Sequence, residues 1–335
     1  MVFGMSSSSA FNLQRNGVGP SKVGIPANTP SSAIDFLTQR FPSIHRQVWL
    51  QRFEAGEVLN AQGQSIAPEQ GLLGESHLLY FRHIEEEPTL PFQAHIIYQD
   101  AYLVVADKPH FMPVTPTGKY VQQSLLVQLK QQLNLPQLSP LHRIDRETAG
   151  LVLFSVRPQD RNAYQELFRL RQVEKSYEAI AGIPESSPLK PEFPRIHKSK
   201  MVEDTQFFRM RELTVKEQAE INPSNSETWI DCVERLGDTH SSAQTVAAVK
   251  GTLARYVLKP VTGQRHQLRV HMNALGLPIL GDVFYPVVKR HANEPDDFDS
   301  PLQLLAKSIT LTDPVTGAQR SFESQQSLSF TSQRP

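Results

Sequence analysis

A chain of 335 residues has room for about two domains and one large core. Lys plus Arg and Asp plus Glu are both 34, so the formal net charge is zero. This excludes a globally basic nucleic-acid binder but leaves room for a local basic groove. Cys232 is the single cysteine, which excludes an intrachain disulfide framework and a cysteine-rich zinc site and fits a reducing cytoplasm.

Residues 1–30 are rich in Ser, Gly, Asn and Pro, lack the apolar segment of a secretory signal, and read as a flexible tail. Residues 31–87 form a first small module. Ile34, Leu37, Phe41, Ile44 and Val48 recur at alternating steps of three and four, which is helical spacing, and glycine-bearing turns follow at Gly56, Gly63 and Gly74. The acidic, proline-containing stretch from Glu85 to Pro91 reads as a linker.

A larger unit spans residues 92–325. Ile96–Tyr98 and Tyr102–Ala106 read as strands around a turn at Asp100, and Ser124–Leu133 as a helix with Leu125, Leu126, Leu129 and Leu133 apolar. Leu151–Val156 is an almost unbroken apolar run whose length favours a buried strand. Pro158 is placed to open a helix, with Ala163, Leu167 and Leu170 on one face. Val173–Ile180 alternates as a strand does. Residues 184–200, with four prolines and five basic residues counting His197, read as an ordered excursion or hairpin loop. Residues 217–227 and 237–242 are polar and read as loops, Thr228–Val233 and Thr252–Leu258 as strands, and Gln264–Leu275 as a helix closed by Gly276. An acidic loop from His291 to Pro301 precedes an apolar segment, Leu302–Leu311. Strands outnumber helices and do not alternate with them, which predicts an α+β fold with a mixed, largely antiparallel sheet, flanking helices and the small N-terminal module. No apolar run approaches the about 18–20 residues that a membrane-spanning helix requires. Dinucleotide-binding and phosphate-loop glycine motifs are absent from the sequence.

Four clusters could carry chemistry. The run from Leu141 to Gly150 sits just before the buried strand, and its Asp145 lies near Arg143 and Arg146, cations that favour a carboxylate. Such an aspartate can be a nucleophile, a general base, a metal ligand or simply a turn residue in a surface ion pair. In the run from Thr262 to His271, Arg265 and Arg269 are four apart and share a face if the helix starts there, to grip a phosphate or to hold a carboxylate. His266 and His271 are five apart, not the i, i+4 pair of a helical zinc site, so a structural role is favoured over metal ligation. Lys175 and Tyr177 share one face of their strand, where a tyrosine can belong to the core or stack on a base. Asp107-Lys108-Pro109-His110 marks a strand end. Basic residues concentrate at Arg157, Arg161, Arg169, Arg171 and Lys175, a density that suits phosphate contact despite the neutral total.

In order along the chain, these clusters resemble the RluA-type RNA pseudouridine synthases. His142-Arg143-Ile144-Asp145-Arg146-Glu147-Thr148-Ala149-Gly150 is similar to the family motif H-R-L-D-x-x-T-S-G, and Lys175-Ser176-Tyr177-Glu178-Ala179 to K-x-Y-x-A. Thr262 to His271 is similar to T-G-R-x-H-Q-[IL]-R-V-H, and Pro278-Ile279-Leu280-Gly281-Asp282 to P-I-x-G-D, while Lys108-Pro109 stands where the family has an early K-P. The sequence departs from the pattern at His110, Ala149, Gln264-Arg265 and Leu305, none of which removes a presumed catalytic group.

The resemblance implies an enzyme that breaks the glycosidic bond of a uridine in RNA, turns the uracil and rejoins it through ring carbon-5, with no cofactor and no metal. It implies that Asp145 is the essential carboxylate, that Arg269 pairs with it, and that Tyr177 packs on the uracil. Arg143, Arg146, Lys175, Arg265 and His266 would bind RNA, with Arg143 filling the gap left in the stack. The expected partner is tRNA or rRNA, acted on in the cytoplasm by a single chain with no membrane contact. The base must be extruded or already unpaired, at a cost of a few kcal/mol offset by stacking and phosphate contacts. Residues 31–87 resemble the small RNA-binding module that precedes many such synthases. The alternative function is a non-catalytic RNA-binding or RNA-folding protein on the same scaffold.

Overall fold

The computed structural model describes residues 13–82, 86–183, 192–205, 208–214, 217, 224–238, 252–290 and 294–329. The chain divides into two compact units, Met1–Thr89 with Thr115–Gln137, and Leu90–Val114 with Leu138–Pro335.

The first unit contains β1 (Ser21–Gly24), α1 (Ala33–Arg40), α2 (Arg46–Glu54), β2 (Val58–Leu59), β3 (His77–Tyr80) and α3 (Leu125–Leu133). Its three-stranded sheet runs β1-β3-β2 and is antiparallel throughout. The reading of residues 1–30 as a flexible tail therefore fails for Ser21–Gly24. Val23 is buried in the module's core, and the strand pairs with β3. Residues 1–12 lie outside the described residues.

The helical spacing from Ile34 to Val48 does not make one helix. Pro42 has no amide hydrogen and disfavours helical geometry at Phe41, which closes α1 with φ −126°. A second start follows, capped by the His45 side chain, which accepts from the Gln47 amide. The break resets the phase, so Val48 is exposed and Trp49 is buried. Phe41, Trp49 and Tyr80 then form an aromatic triangle with centroids 5.2–5.6 Å apart.

Helix α3 belongs to this unit, although by sequence it falls inside the 92–325 stretch. The Glu87 carboxylate accepts from the amides of Val121, Gln122 and Gln123, and Val18 is buried with Val121 and Val127. A continuous reading of sequence has no means of assigning an inserted segment to a neighbouring unit.

The second unit is built on a ten-stranded sheet. Its strands are β4 (His95–Gln99), β5 (Leu103–Lys108), β6 (Ser139–Pro140), β7 (Ala149–Ser155), β8 (Glu174–Gly182), β9 (Arg195–Ser199), β12 (Ser226–Asp238), β13 (Thr252–Pro260), β14 (Leu304–Thr312) and β15 (Gln319–Glu323). The path is β4-β5-β7-β14-β8-β13-β12-β9, with β15 on β14 and β6 on β7. A separate ribbon pairs β10 (Met201–Glu203) with β11 (Met210–Glu212). Among the described pairings of the large sheet only β7–β14 is parallel, so the α+β class and the mixed, largely antiparallel sheet hold. Helices α4 (Arg161–Arg169) and α5 (Gln267–Ala274) flank it.

Strand β7 is buried at every position, as its apolar run requires. The turn at Asp100 forms because its Oδ1 accepts from the amides of Tyr102 and Leu103. Pro158 does not open α4. It lies inside a turn in which Arg157 pairs with Asp160, and the helix begins at Arg161. Within 184–200, Arg195–Ser199 is a strand on β12 rather than a loop, while 184–191 lies outside the described residues. The loop readings at 217–227 and 237–242 are corrected where β12 takes up Ser226, Glu227, Gly237 and Asp238. Most of the remainder lies outside the described residues.

No helix of the described residues is long and apolar enough to cross a membrane.

Candidate active site

Asp145 lies in the loop between β6 and β7. That loop is anchored on both sides. The Leu141 amide donates to the Leu153 carbonyl, and Gly150 follows in β7 with φ +109°. A Cβ at Gly150 would lie 2.3 Å from the Ala306 carbonyl oxygen, so only glycine lets β7 approach β14 this closely beside the loop. Lys108, fully buried at the end of β5, donates to the carbonyls of Pro109 (2.9 Å) and Arg146 (3.1 Å) and ties the loop from beneath. His110 Nδ1 donates to the Glu147 carbonyl at 2.7 Å.

Arg269 comes from α5. The helix starts at Gln267 because His266 takes a left-handed conformation, φ +56°, and the Gln267 side chain organises the turn. Its Oε1 accepts from the Thr262 hydroxyl and the Gln264 amide, and its Nε2 donates to Glu227 and Thr228 on β12. Arg269 is thereby driven inward, with a side chain 1% exposed. Its Nε and Nη2 donate to the two oxygens of Asp282 at 2.9 and 2.7 Å, a bidentate pair. Its Nη1 donates to Asp145 Oδ2 at 3.3 Å and lies 3.7 Å from Glu147 Oε2. Asp282 is held by the amides of Phe284 and Tyr285. Gly281 before it has φ +77°, and a Cβ there would meet the Pro301 carbonyl at 2.2 Å.

Three carboxylates therefore surround one guanidinium. Asp282 and Glu147 are buried, while the Asp145 side chain is 24% exposed and forms the open edge. Burial by itself would lower the Arg269 pKa, but the charge and hydrogen bonds of Asp282, with Asp145 and Glu147 behind, raise it. Burial would raise Glu147, and Arg269 and Arg146 override it, so the carboxyl is held below its usual range. Burial pushes Lys108 down to about 7 against the opposing pull of Glu147 and Asp145.

Tyr177 stands on β8 opposite Ala306 of β14 and Leu258 of β13. Burial, and then the charge of Asp145, raise its hydroxyl pKa, so the ring reaches the field of the carboxylate as a neutral phenol. Lys175, two residues earlier, is half-buried, and burial lowers its pKa.

The structure thus brings Asp145, Arg269 and Tyr177 to one place and distributes the other sequence-identified residues. Arg143 is exposed. Arg146 binds both oxygens of Asp296, at 3.1 and 2.6 Å, the Phe111 carbonyl, and Glu147 at 3.1 Å. His266 is buried, stacked on Phe284 and 3.0 Å from the Tyr285 hydroxyl. Arg265 and Arg269 do not share a helix face, because α5 begins after Arg265. Arg265 lies over the Phe208 ring and 3.4 Å from Glu203. Sequence reading gave no role to Asp282, Glu147 or Gln267, although all three stand in the motif runs. For Asp282, a carboxylate following a glycine and facing an arginine-bearing helix is a usable signal. For Asp296, 150 residues from Arg146, there is none.

A buried arginine holding a half-open aspartate at the end of a buried strand, with a tyrosine beside it, defines a carboxylate-centred site on a mixed sheet. A family model described as RNA pseudouridylate synthase matches residues 102–274, more than half of the chain. The dual-specificity RNA pseudouridine synthase RluA of Escherichia coli is 30% identical over 235 residues, covering 68% of this chain and 91% of the relative. An uncharacterized RNA pseudouridine synthase of Synechocystis sp. is 28% identical over 255 residues, covering 75% of this chain and 78% of the relative. Among solved structures, human RNA pseudouridylate synthase domain containing 1 matches with a TM-score of 0.52 at 22% identity, over 72% of this chain and 86% of that chain, a likeness of fold. The chain belongs to the RNA pseudouridylate synthase family and is an RNA pseudouridine synthase of the RluA type.

Proposed function

We propose that this enzyme isomerises specific uridines in structured RNA, either transfer RNA or 23S-type ribosomal RNA, in the cytoplasm, with Asp145 as the essential carboxylate. The observation that carries this reading is the 3.3 Å contact between the half-open Asp145 and a guanidinium that is otherwise enclosed. Arg269 cannot swing toward solvent, because Asp282 clamps it on two sides. Asp145 is therefore the member of the cluster with room to meet a nucleoside while still oriented by a fixed charge.

In the reaction the bond between ribose carbon-1′ and uracil N1 breaks, the ring turns, and a bond from carbon-1′ to carbon-5 forms. Carbon-5 loses a proton and N1 gains one, so the process needs no external reagent. Asp145 would attack the sugar or the ring, or help to deprotonate the sugar. Tyr177, held neutral by burial and by the charge of Asp145, would pack on the extruded uracil and assist proton removal from carbon-5. Arg143, exposed at the same loop, would enter the stack from which the base leaves. The Escherichia coli relative is named dual-specificity, which supports more than one RNA as substrate.

The test is a map of pseudouridines in total RNA from cells with and without the gene, complemented by wild type or Asp145→Asn. Wild type should restore the missing sites, and Asp145→Asn should restore none while still binding RNA transcripts. Restoration by Asp145→Asn would overturn the assignment.

A further inference from the structure

Two residues beyond Arg269, on the opposite side of α5, His271 enters a second buried polar cluster. It meets His197 from β9 and Glu212 from β11. His197 Nε2 is 2.8 Å from Glu212 Oε1, which is 3.9 Å from His271 Nε2. One donor atom from each of the three side chains lies within 4.8 Å of the others, and the two imidazole rings meet edge to face at 4.7 Å. We propose that His197, Glu212 and His271 bind a transition-metal dication of the zinc class, which clamps α5 to β9 and β11.

The donor set selects the ion. Two imidazoles and one carboxylate suit zinc, cobalt or nickel, whereas magnesium and calcium require mostly oxygen ligands. Zinc bonds nitrogen and oxygen at about 2.0–2.1 Å, which in a tetrahedron sets donor atoms about 3.4 Å apart. The observed separations bracket that value, so closing the site moves each side chain by less than about one ångström. Three protein ligands leave the fourth position for water. His197 and Glu212 are 15% and 19% exposed, which gives an ion a path in, while His271 is enclosed and forms the floor.

The surroundings prepare His271 to act as a ligand. Its Nδ1 is 2.9 Å from the Thr228 hydroxyl oxygen, which can accept from that nitrogen as well as from Gln267 Nε2. With its hydrogen on Nδ1, the ring presents the Nε2 lone pair to Glu212 and His197, the arrangement in which an outer partner orients a metal-binding histidine. The Ser226 and Ser199 hydroxyls lie 2.9 and 3.2 Å from Nε2, and in that tautomer the ion would take over the lone pair that a serine hydroxyl otherwise meets. Burial keeps the imidazole neutral, as a ligand must be. A plain His197–Glu212 ion pair explains two of the three groups. The third imidazole, held by Thr228, Ser226 and Ser199, brings its Nε2 to 3.9 Å from the same carboxylate oxygen and completes a three-donor set.

The test uses the untagged full chain, stripped with chelator and titrated with Co2+ and then Zn2+. The expected result is one Co2+ per chain with the visible absorption of a four-coordinate ion, displacement of that signal by Zn2+, and a melting temperature raised by a few degrees. His197→Ala and Glu212→Gln should each weaken binding about tenfold or more, and His95→Ala, an exposed histidine elsewhere, should not. His197→Ala is the more informative variant, because its half-buried side chain can be lost without unfolding the metal-free protein; its metal-free melting temperature checks this. No saturable binding up to millimolar Co2+, or binding equal in wild type, His197→Ala and Glu212→Gln, would overturn the proposal. Pseudouridine formation is a separate readout, so failure of the metal site leaves the role of Asp145 untouched.

Discussion

Arg269 and His271 leave the same helix two residues apart, so they point in nearly opposite directions, and their surroundings answer the same physical problem differently. Each buries an ionisable group. A guanidinium cannot be deprotonated inside a protein, so burial of Arg269 is tolerated only because Asp282 binds it bidentately and Asp145 and Glu147 add charge. An imidazole can give up its proton, so burial of His271 is met by neutrality, with its pKa pushed down to about 3 and hydroxyls from Ser199, Ser226 and Thr228 around it. The charged side has a fixed field, which suits a reaction that needs an oriented carboxylate. The neutral side is held by hydroxyl hydrogen bonds and brings imidazole and carboxylate donor atoms together, which suits a ligand role.

Breaking the charged side should have the largest effect on stability. Asp282→Ala leaves a buried guanidinium short of its main partner and should cost about 3–5 kcal/mol in denaturant unfolding. A loss under about 1 kcal/mol would mean that Asp145 and Glu147 suffice to hold Arg269.

Acid should test the neutral strategy at two further histidines. Burial lowers His110 to about 4, with the Glu147 carbonyl opposing, and lowers His142 to about 3. Between an unfolded value near 6.5 and these folded values, the unfolded chain binds protons that the folded chain refuses. Stability should therefore fall as pH drops below about 6.5, by about 1.4 kcal/mol per pH unit from each group. This contribution is fully present above pH 6.5. Unfolding midpoints followed from pH 7.5 to 4.5 would show the slope, and its loss in His142→Gln would assign one part of it.

Gly150→Ala probes the backbone that aims the charged side. The added carbon would meet the Ala306 carbonyl at 2.3 Å in a region of positive φ, so a loss of about 2 kcal/mol and a drop in turnover are expected. Thermal unfolding combined with an RNA isomerisation assay reads both. The smallest structural effect is expected at Arg143, which is exposed. Arg143→Ala should change stability by less than about 0.5 kcal/mol. It should weaken RNA binding and, if the side chain meets a phosphate, reduce the salt slope of binding by about one.

Much of the site was legible in the sequence because its parts sit in short runs tied to strand ends. The apolar run at Leu151–Val156 marked β7, and the polar residues before it marked the loop of Asp145. The Asp100 turn was readable from one residue, because an aspartate that accepts two following amides closes its own turn. Pro42 was equally visible, yet the apolar spacing from Ile34 to Val48 masked it. Ile44 and Val48 continue the count of threes and fours by residue type alone, although the second helix buries Trp49 in place of Val48.

The sequence by itself determined the chemistry that is carried by order along the chain. It set the α+β class and the buried strand, since strand periodicity is a local property, and through the family resemblance it singled out Asp145 and Arg269 as candidates. The tertiary structure alone decided which cations serve that acid. Arg146, one residue away, is drawn off by Asp296, and Arg265 stays outside the helix that carries Arg269 inward. It alone also brought His197, Glu212 and His271 together from three separate elements, a meeting that no spacing rule along one helix or strand could anticipate. The physical reason is the same in both cases: a charge or a lone pair acts over a few ångströms of space, and folding makes residues far apart in the chain neighbours.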